Sequence, residues 1–145
     1  MNIDAIQNGI VIDHIPAGAG MELYRMLRLD ALDCSVAIIK NAHSNKAGKK
    51  DIIKIDAEIP VDFDLIGYLA PHAKINIIRD GKLIEKRDAT LPKTLINVIK
   101  CINPRCITGT EQELDQVFRL TDPDQRIYRC IYCESKANAI NQKVN

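Results

Sequence analysis

Cys101-Ile102-Asn103-Pro104-Arg105-Cys106 and Cys130-Ile131-Tyr132-Cys133 are the two stretches from which the fold of this chain can be read. They set a Cys-x4-Cys pair and a Cys-x2-Cys pair 23 residues apart. Each spacing is that of a tight loop whose two thiolates turn toward one point, and two such loops supply the four sulfurs that tetrahedral zinc prefers. A site closed by four thiolates leaves no position for water or substrate, so the metal is expected to be structural. A four-thiolate iron centre has the same ligand set, and spacing alone does not separate it from zinc. Two disulfides would suit a secreted protein, but Met1 to Asn8 has neither the basic region nor the apolar run of a secretory signal. A redox Cys-x2-Cys would need one pair only, in a thioredoxin-like setting that is missing here. The fifth cysteine, Cys34, lies in the run Cys34-Ser35-Val36-Ala37-Ile38-Ile39 and reads as a small buried hydrophobe.

Around the cysteines, strands are expected at Leu95 to Cys101, Leu114 to Leu120 and Arg126 to Cys130, with a turn at Thr121-Asp122-Pro123-Asp124-Gln125. The tail from Asn138 is polar and is expected to fray. About 50 residues bury too little apolar surface to fold alone, and metal-binding energy removes that difficulty. Upstream, Asp88 to Pro92 reads as a joint, which divides the chain into residues 1–90 and 91–145.

Before the joint the order is β-α-β-β-α-β-β. Gly9 to Pro16 is β-branched and ends at proline, as a strand does. Leu23, Met26, Leu27 and Leu29 recur at helical spacing. Ser35 to Lys40 is a second strand, Asn41 to Gly48 a polar loop, and Asp51 to Ile59 an alternating strand with Ile53, Ile55, Ala57 and Ile59 on one side. Asp62 or Asp64 can cap a short helix ending before Pro71. Lys74 to Arg79, Asp80-Gly81 and Lys82 to Lys86 form a hairpin with the Asp-Gly signal of a type I′ turn. The expected class is α+β: a ferredoxin-like antiparallel sheet with helices on one face, then a small zinc-bound β domain of zinc-ribbon or rubredoxin-like kind.

Composition narrows the function. With 46% hydrophobic and 27% charged residues the chain reads as a soluble globular protein. A net charge of +1 argues against bulk electrostatic binding of nucleic acid. No apolar run approaches the roughly 18 residues of a membrane span, so the cytoplasm is the expected compartment. No nucleophile, base or carboxylate pair assembles a convincing catalytic constellation. Basic residues do gather on strand and hairpin ends: Lys49, Lys50, Lys54, Lys82, Lys86 and Arg87. Singly each reads as a solvated charge; together they suggest a phosphate-binding face. His14, beside Asp13 at a strand end, has the same two readings.

Val11-Ile12-Asp13-His14-Ile15-Pro16, Lys49-Lys50-Asp51-Ile52-Ile53-Lys54-Ile55, Leu91-Pro92 and the two cysteine pairs, in that order, resemble the regulatory chain of aspartate carbamoyltransferase over nearly the whole length. The resemblance implies a non-catalytic subunit of pyrimidine biosynthesis. Its N-terminal domain would bind CTP or ATP and pair into a regulatory-chain homodimer, while its zinc domain would dock on the separate catalytic chain. By motif, Asp13 would lie near base and ribose and His14 near phosphate. Lys54 and Lys86 would reach ribose and triphosphate, and the backbone at Ala5 and Ile6 would read the base edge. Lys50 and Asn76 would fall close by. The Asp80-Gly81 hairpin carries no aromatic ring for stacking. Cys101, Cys106, Cys130 and Cys133 would hold one zinc, and Ile107, Tyr128 and Tyr132 are either contacts for the catalytic chain or members of a small internal core.

The alternative from another class is a small zinc-ribbon nucleic-acid-binding protein, which should show a basic stripe with exposed aromatics on the zinc domain. Glu111, Glu113, Asp115, Asp122 and Asp124 weigh against it. A metal-stabilised enzyme is the third reading.

Overall fold

The computed structural model describes residues 6–45 and 48–137. The chain divides into two compact units, Met1–Thr90 and Leu91–Asn145. In the first, β1 (Gly9–Pro16) is followed by α1 (Gly20–Met26), β2 (Val36–Ser44), β3 (Gly48–Ile55), α2 (Phe63–Leu69), β4 (Lys74–Arg79) and β5 (Lys82–Asp88). The five strands form one antiparallel sheet in the order β2-β3-β1-β4-β5. The ferredoxin-like expectation holds, with β5 added at one edge.

Alternation decides which face is covered. Ile10, Ile12 and Ile15 of β1, Ile53 and Ile55 of β3 and Ile75 of β4 are buried in one cluster with Leu23 of α1 and Ile66 of α2. Both helices therefore lie on that face. Val11, Lys54, Asn76 and Lys86 have the opposite parity and line the other face.

Several boundaries differ from the sequence reading, each for a local reason. α1 stops at Met26 because Arg28 adopts a left-handed backbone (φ 58°), and a short 3-10 turn, Leu29–Ala31, follows. β2 runs through the expected loop to Ser44, crossing a bulge between Ile39 and Ala42 where Asn41 has φ 58°. The Asn41 N–H donates to Asp51 Oδ1 at 3.0 Å, which holds that bulge. β3 ends at Ile55, so Ala57 and Ile59 lie beyond the strand, although Ile59 still packs on the core. The Asp62 cap is present, accepting from the Leu65 N–H at 3.1 Å. Asp80 (φ 53°) and Gly81 (φ 75°) both adopt the left-handed conformation that a type I′ turn demands.

Asp51 is a fully buried carboxyl group on the apolar face of β3. Its Oδ2 accepts from the Gly18 and Gly20 N–H groups, each at 3.0 Å. A Cβ at Gly20 would meet Asp51 Oδ2 at 2.8 Å, so the close approach depends on glycine. One side chain thus ties the β1–α1 connection and the β2 bulge to β3.

The second unit has a three-stranded antiparallel sheet of β6 (Thr94–Ile96), β7 (Val117–Asp122) and β8 (Ile127–Cys130), in that order. The expected first strand shortens to three residues because Asn97 turns to φ 56° and locks against Gln116, its Oδ1 accepting from the Gln116 N–H at 2.9 Å. Leu95, Val98, Ile99, Phe118 and Tyr128 form a small core, and the Tyr128 hydroxyl donates to the Pro92 carbonyl. Tyr128 is core rather than a surface contact, unlike the exposed Ile107 and Tyr132.

Candidate functional site

The polar face of the first sheet is ordered in rows by strand register. The middle row runs Lys54, Val11, Asn76, Lys86 across β3, β1, β4 and β5. Directly opposite residues on one face stand about 5 Å apart, so these side chains are neighbours. Lys54 and Lys86 form no ion pair among the described residues. Asn76 Oδ1 is buried without a hydrogen-bond partner, an arrangement that is costly unless something completes it.

On one side of that row, Gly9 pairs with Ile78 and Ile78 with Leu83, which is 56% exposed. Ile6 packs against Gly9, where an added Cβ would lie 2.9 Å from Ile6 Cγ2. This end is apolar. Ala5 lies outside the described residues.

On the other side, Asp13 pairs with Lys74 and Lys74 with Asp88. The Lys74 ammonium is 2.9 Å from Asp88 Oδ1, and the Lys50 ammonium is 2.9 Å from Asp13 Oδ1. Burial pushes the Asp13 carboxyl upward, but the Lys50 ammonium and the His14 N–H outweigh it and hold it below the usual range. The strand is bulged between Ile12 and Ile15, with His14 at φ 58°. That bulge turns His14 out of the alternation. Its Nδ1 is buried, makes no hydrogen bond and lies 3.6 Å from Asp13 Oδ2, too far for one.

Beyond His14 a cavity of about 500 Å³ opens at the sheet end, lined on its polar side by His14, Ser44, Lys49, Lys50, His72, Lys74 and Asp88. A smaller hollow of about 260 Å³ shares His14, Ser44 and Lys50. The structure therefore brings Ile6, Asp13, His14, Lys50, Lys54, Asn76 and Lys86 onto one sheet face and its end. Of these, only His14 and Lys50 also line the cavity. Arg87 departs from the expected cationic group: it pairs with Ile75 and sits 4.0 Å over the Phe63 ring, on the helix side. Ser44, His72 and Lys74 were not legible as neighbours of this site, because strand ends meet only after the sheet has formed.

In the second unit, the ligand sulfurs of Cys101, Cys106, Cys130 and Cys133 all lie within 4.8 Å of one another. Cys101 and Cys133 Sγ are 3.6 Å apart, Cys106 and Cys130 Sγ 3.7 Å. A disulfide would close either distance to about 2.05 Å. A tetrahedron with zinc–sulfur distances of about 2.3 Å has edges of about 3.8 Å, so the donor set fits one zinc. Thr108 Oγ1 donates to Cys106 Sγ at 3.1 Å, a contact the sequence did not announce.

Burial pushes the Cys101 thiol up to about 12, against one backbone N–H from Asn103. Cys130 is also raised by burial. At Cys133 burial is outweighed by donors from Ser135 and Asn103, and the thiol falls to about 6. Near neutrality Cys101 and Cys130 are held as thiols, and a metal that binds their sulfurs displaces the protons to solvent. Zinc binding at pH 7 is therefore expected to release at least two protons. Because metal and protons compete, affinity should rise with pH above 7 and fall in acid. Calorimetry in buffers of different ionisation enthalpy measures the release directly.

The first unit's polar sheet face carries Lys54 and Lys86 outside any ion pair among the described residues, and the second unit gathers four thiols suited to one metal ion. Family comparison is specific. Residues 1–90 match the allosteric domain of the aspartate carbamoyltransferase regulatory chain and residues 93–141 match its metal binding domain. The aspartate carbamoyltransferase regulatory chain of Bifidobacterium longum is 41% identical over 94% of this chain and 99% of its own length. Those of Clostridium botulinum (46%, over 92% of both chains) and Clostridium tetani (47%, over 92% and 94%) are similar too. The chain belongs to the aspartate carbamoyltransferase regulatory chain family, and is a non-catalytic subunit with an allosteric and a metal-binding domain. The nucleic-acid-binding zinc-ribbon alternative is not favoured. Among the described residues, no helix is long and apolar enough to cross a membrane.

Proposed function

We propose that the first unit is an effector domain for nucleoside triphosphates such as CTP and ATP, and that the second docks on the catalytic chain of aspartate carbamoyltransferase. The row Lys54–Val11–Asn76–Lys86 carries this reading, with two lysines outside any ion pair, and an amide oxygen without a hydrogen-bond partner, among the described residues. The base would lie toward Ile6 and Leu83, with the backbone at Ala5 and Ile6 reading its edge. Asp13 and Lys54 would hold the ribose. The phosphates would extend past Lys86 toward Lys50 and His14. Gly9 to His14 spans about 17 Å at roughly 3.3 Å per residue, room for an extended nucleotide. Ammonium groups answer phosphate charge without covalent chemistry.

The exposed apolar residues Ile102, Ile107, Ile131 and Tyr132 support docking of the cysteine loops, since the metal fixes those loops and lowers the entropy lost on association. β2 is an edge strand with half-buried Val36, Ala37, Ile38 and Ile39, which suits a regulatory homodimer. The assembly would work in the cytoplasm, in pyrimidine biosynthesis. Effector and substrate affinities would then be linked reciprocally through the complex.

Lys86→Ala is expected to weaken nucleoside triphosphate binding by about 1–3 kcal/mol, the scale of one charge-assisted contact. The loss should shrink for the nucleoside, which has no phosphate for the ammonium to meet. Titration calorimetry with both ligands decides the matter; equal losses would remove Lys86 from the phosphate role.

A further inference from the structure

The outer face of the second unit's sheet carries charges that the metal site does not use. Thr94 pairs with Arg119 and Arg119 with Arg129, while Arg129 is bridged to Lys136 in the returning segment. Directly opposed residues on antiparallel strands project to the same face, about 5 Å apart. Three exposed cations thus stand in one cross-strand row, an arrangement that destabilises a sheet unless something answers it. None of the three forms an ion pair among the described residues. Arg129 Nη1 donates to the Glu134 carbonyl at 3.0 Å, a contact that leaves its charge uncompensated.

Beside the cations runs an apolar row. Ile96, 57% exposed, pairs with Val117, and the Val117 carbonyl accepts from the Ile131 N–H at 3.1 Å. Arg119, Thr121, Arg129, Ile131 and Glu134 line a dent of about 130 Å³ on this face. Small-molecule pockets measure roughly 300–1,000 Å³, so the dent is sized for a protein side chain. Two guanidinium groups and a lysine recognise carboxylates, and the neighbouring isoleucines call for apolar contact. Nucleic acid fits less well: the row has isoleucines where stacking rings would be needed, and Glu111, Glu113 and Asp115 lie in the same unit.

We propose that this sheet face seats an acidic, apolar-centred patch of the catalytic chain, so that the footprint covers β6, β7 and β8 as well as the cysteine loops. The proposal rests on the docking reading above and is continuous with it through Ile131, which belongs to both surfaces.

The test measures association of the full-length chain with the catalytic chain across a salt series. Arg119→Gln should weaken the complex roughly tenfold at low salt, the lower range for a close interfacial charge pair, and should flatten the salt dependence. Zinc content should stay at one equivalent, and the thermal stability of the free chain should hold or rise, because a like-charge neighbour has gone. A merely structural arginine would lower stability instead. If Arg119→Gln loses its metal, Lys136→Gln, at the far end of the row and outside β7 and β8, should show the same weakening and flattening. Binding unchanged by either folded variant at every salt concentration overturns the footprint while leaving docking intact. Failure of the unmodified chain to associate overturns both.

Discussion

Removing zinc is expected to unfold the second unit, Leu91–Asn145, and to leave the first largely as it is. The few large side chains buried there, Leu95, Val98, Ile99, Phe118 and Tyr128, cannot offset the conformational entropy of some 50 ordered residues. Two of the remaining core members, Cys106 and Cys130, are themselves metal ligands. Binding energies of about 10–16 kcal/mol for structural zinc in small domains are folding energies, and here they act on a unit with little else. Cys130→Ser should have the same effect as chelation. Metal analysis should give one equivalent per chain, and chelator should erase the near-UV and amide signals of the second unit only. A Cys130→Ser chain with undiminished thermal stability would sink the assignment. On the proposed docking reading, loss of zinc should also abolish assembly with the catalytic chain, because the metal would hold the docking loops rigid.

The second large effect is expected at Asp51. Truncation to alanine strands three backbone donors at once, the N–H groups of Gly18, Gly20 and Asn41. Only the Gly20 donor is fully buried, the other two being partly so, and an unsatisfied buried donor costs about 1–3 kcal/mol, so Asp51→Ala should destabilise the first unit by about 1–3 kcal/mol. The zinc-dependent transition of the second unit should not move. Because the clamped segment Gly18–Gly20 follows Pro16, which lines the cavity beside His14, the proposed nucleotide binding should weaken along with stability. Denaturant unfolding followed separately in the two units tests this. A loss shared equally between them, or none, would show that Asp51 does not act as the clamp.

Asp51 also shows how far the sequence could be read. In the alternating run from Asp51 to Ile55 it has the inward parity of Ile53 and Ile55, so a buried carboxyl group was legible as an anomaly. Its three donors were not, because they come from residues 10 to 33 positions away.

What the sequence determined alone were the features written in short-range patterns. Cysteine spacing implied the metal site; period-2 alternation implied the two-faced strands; Asp80-Gly81 implied the hairpin turn; Asp62 implied its cap. These rest on local geometry, which a few neighbouring residues suffice to specify. Register and bulges were decided only in the folded sheet. A β-bulge between Ile12 and Ile15 turns His14 from the alternation toward the cavity, and four-strand pairing sets Lys54, Val11, Asn76 and Lys86 side by side. The same pairing carries Arg87 to the helix side over Phe63, and lines up Arg119, Arg129 and Lys136 on the metal unit. Strand pairing joins residues far apart in the chain, and a slip of one position would exchange the two faces. That is why the composition of each face was readable in advance and its neighbours were not.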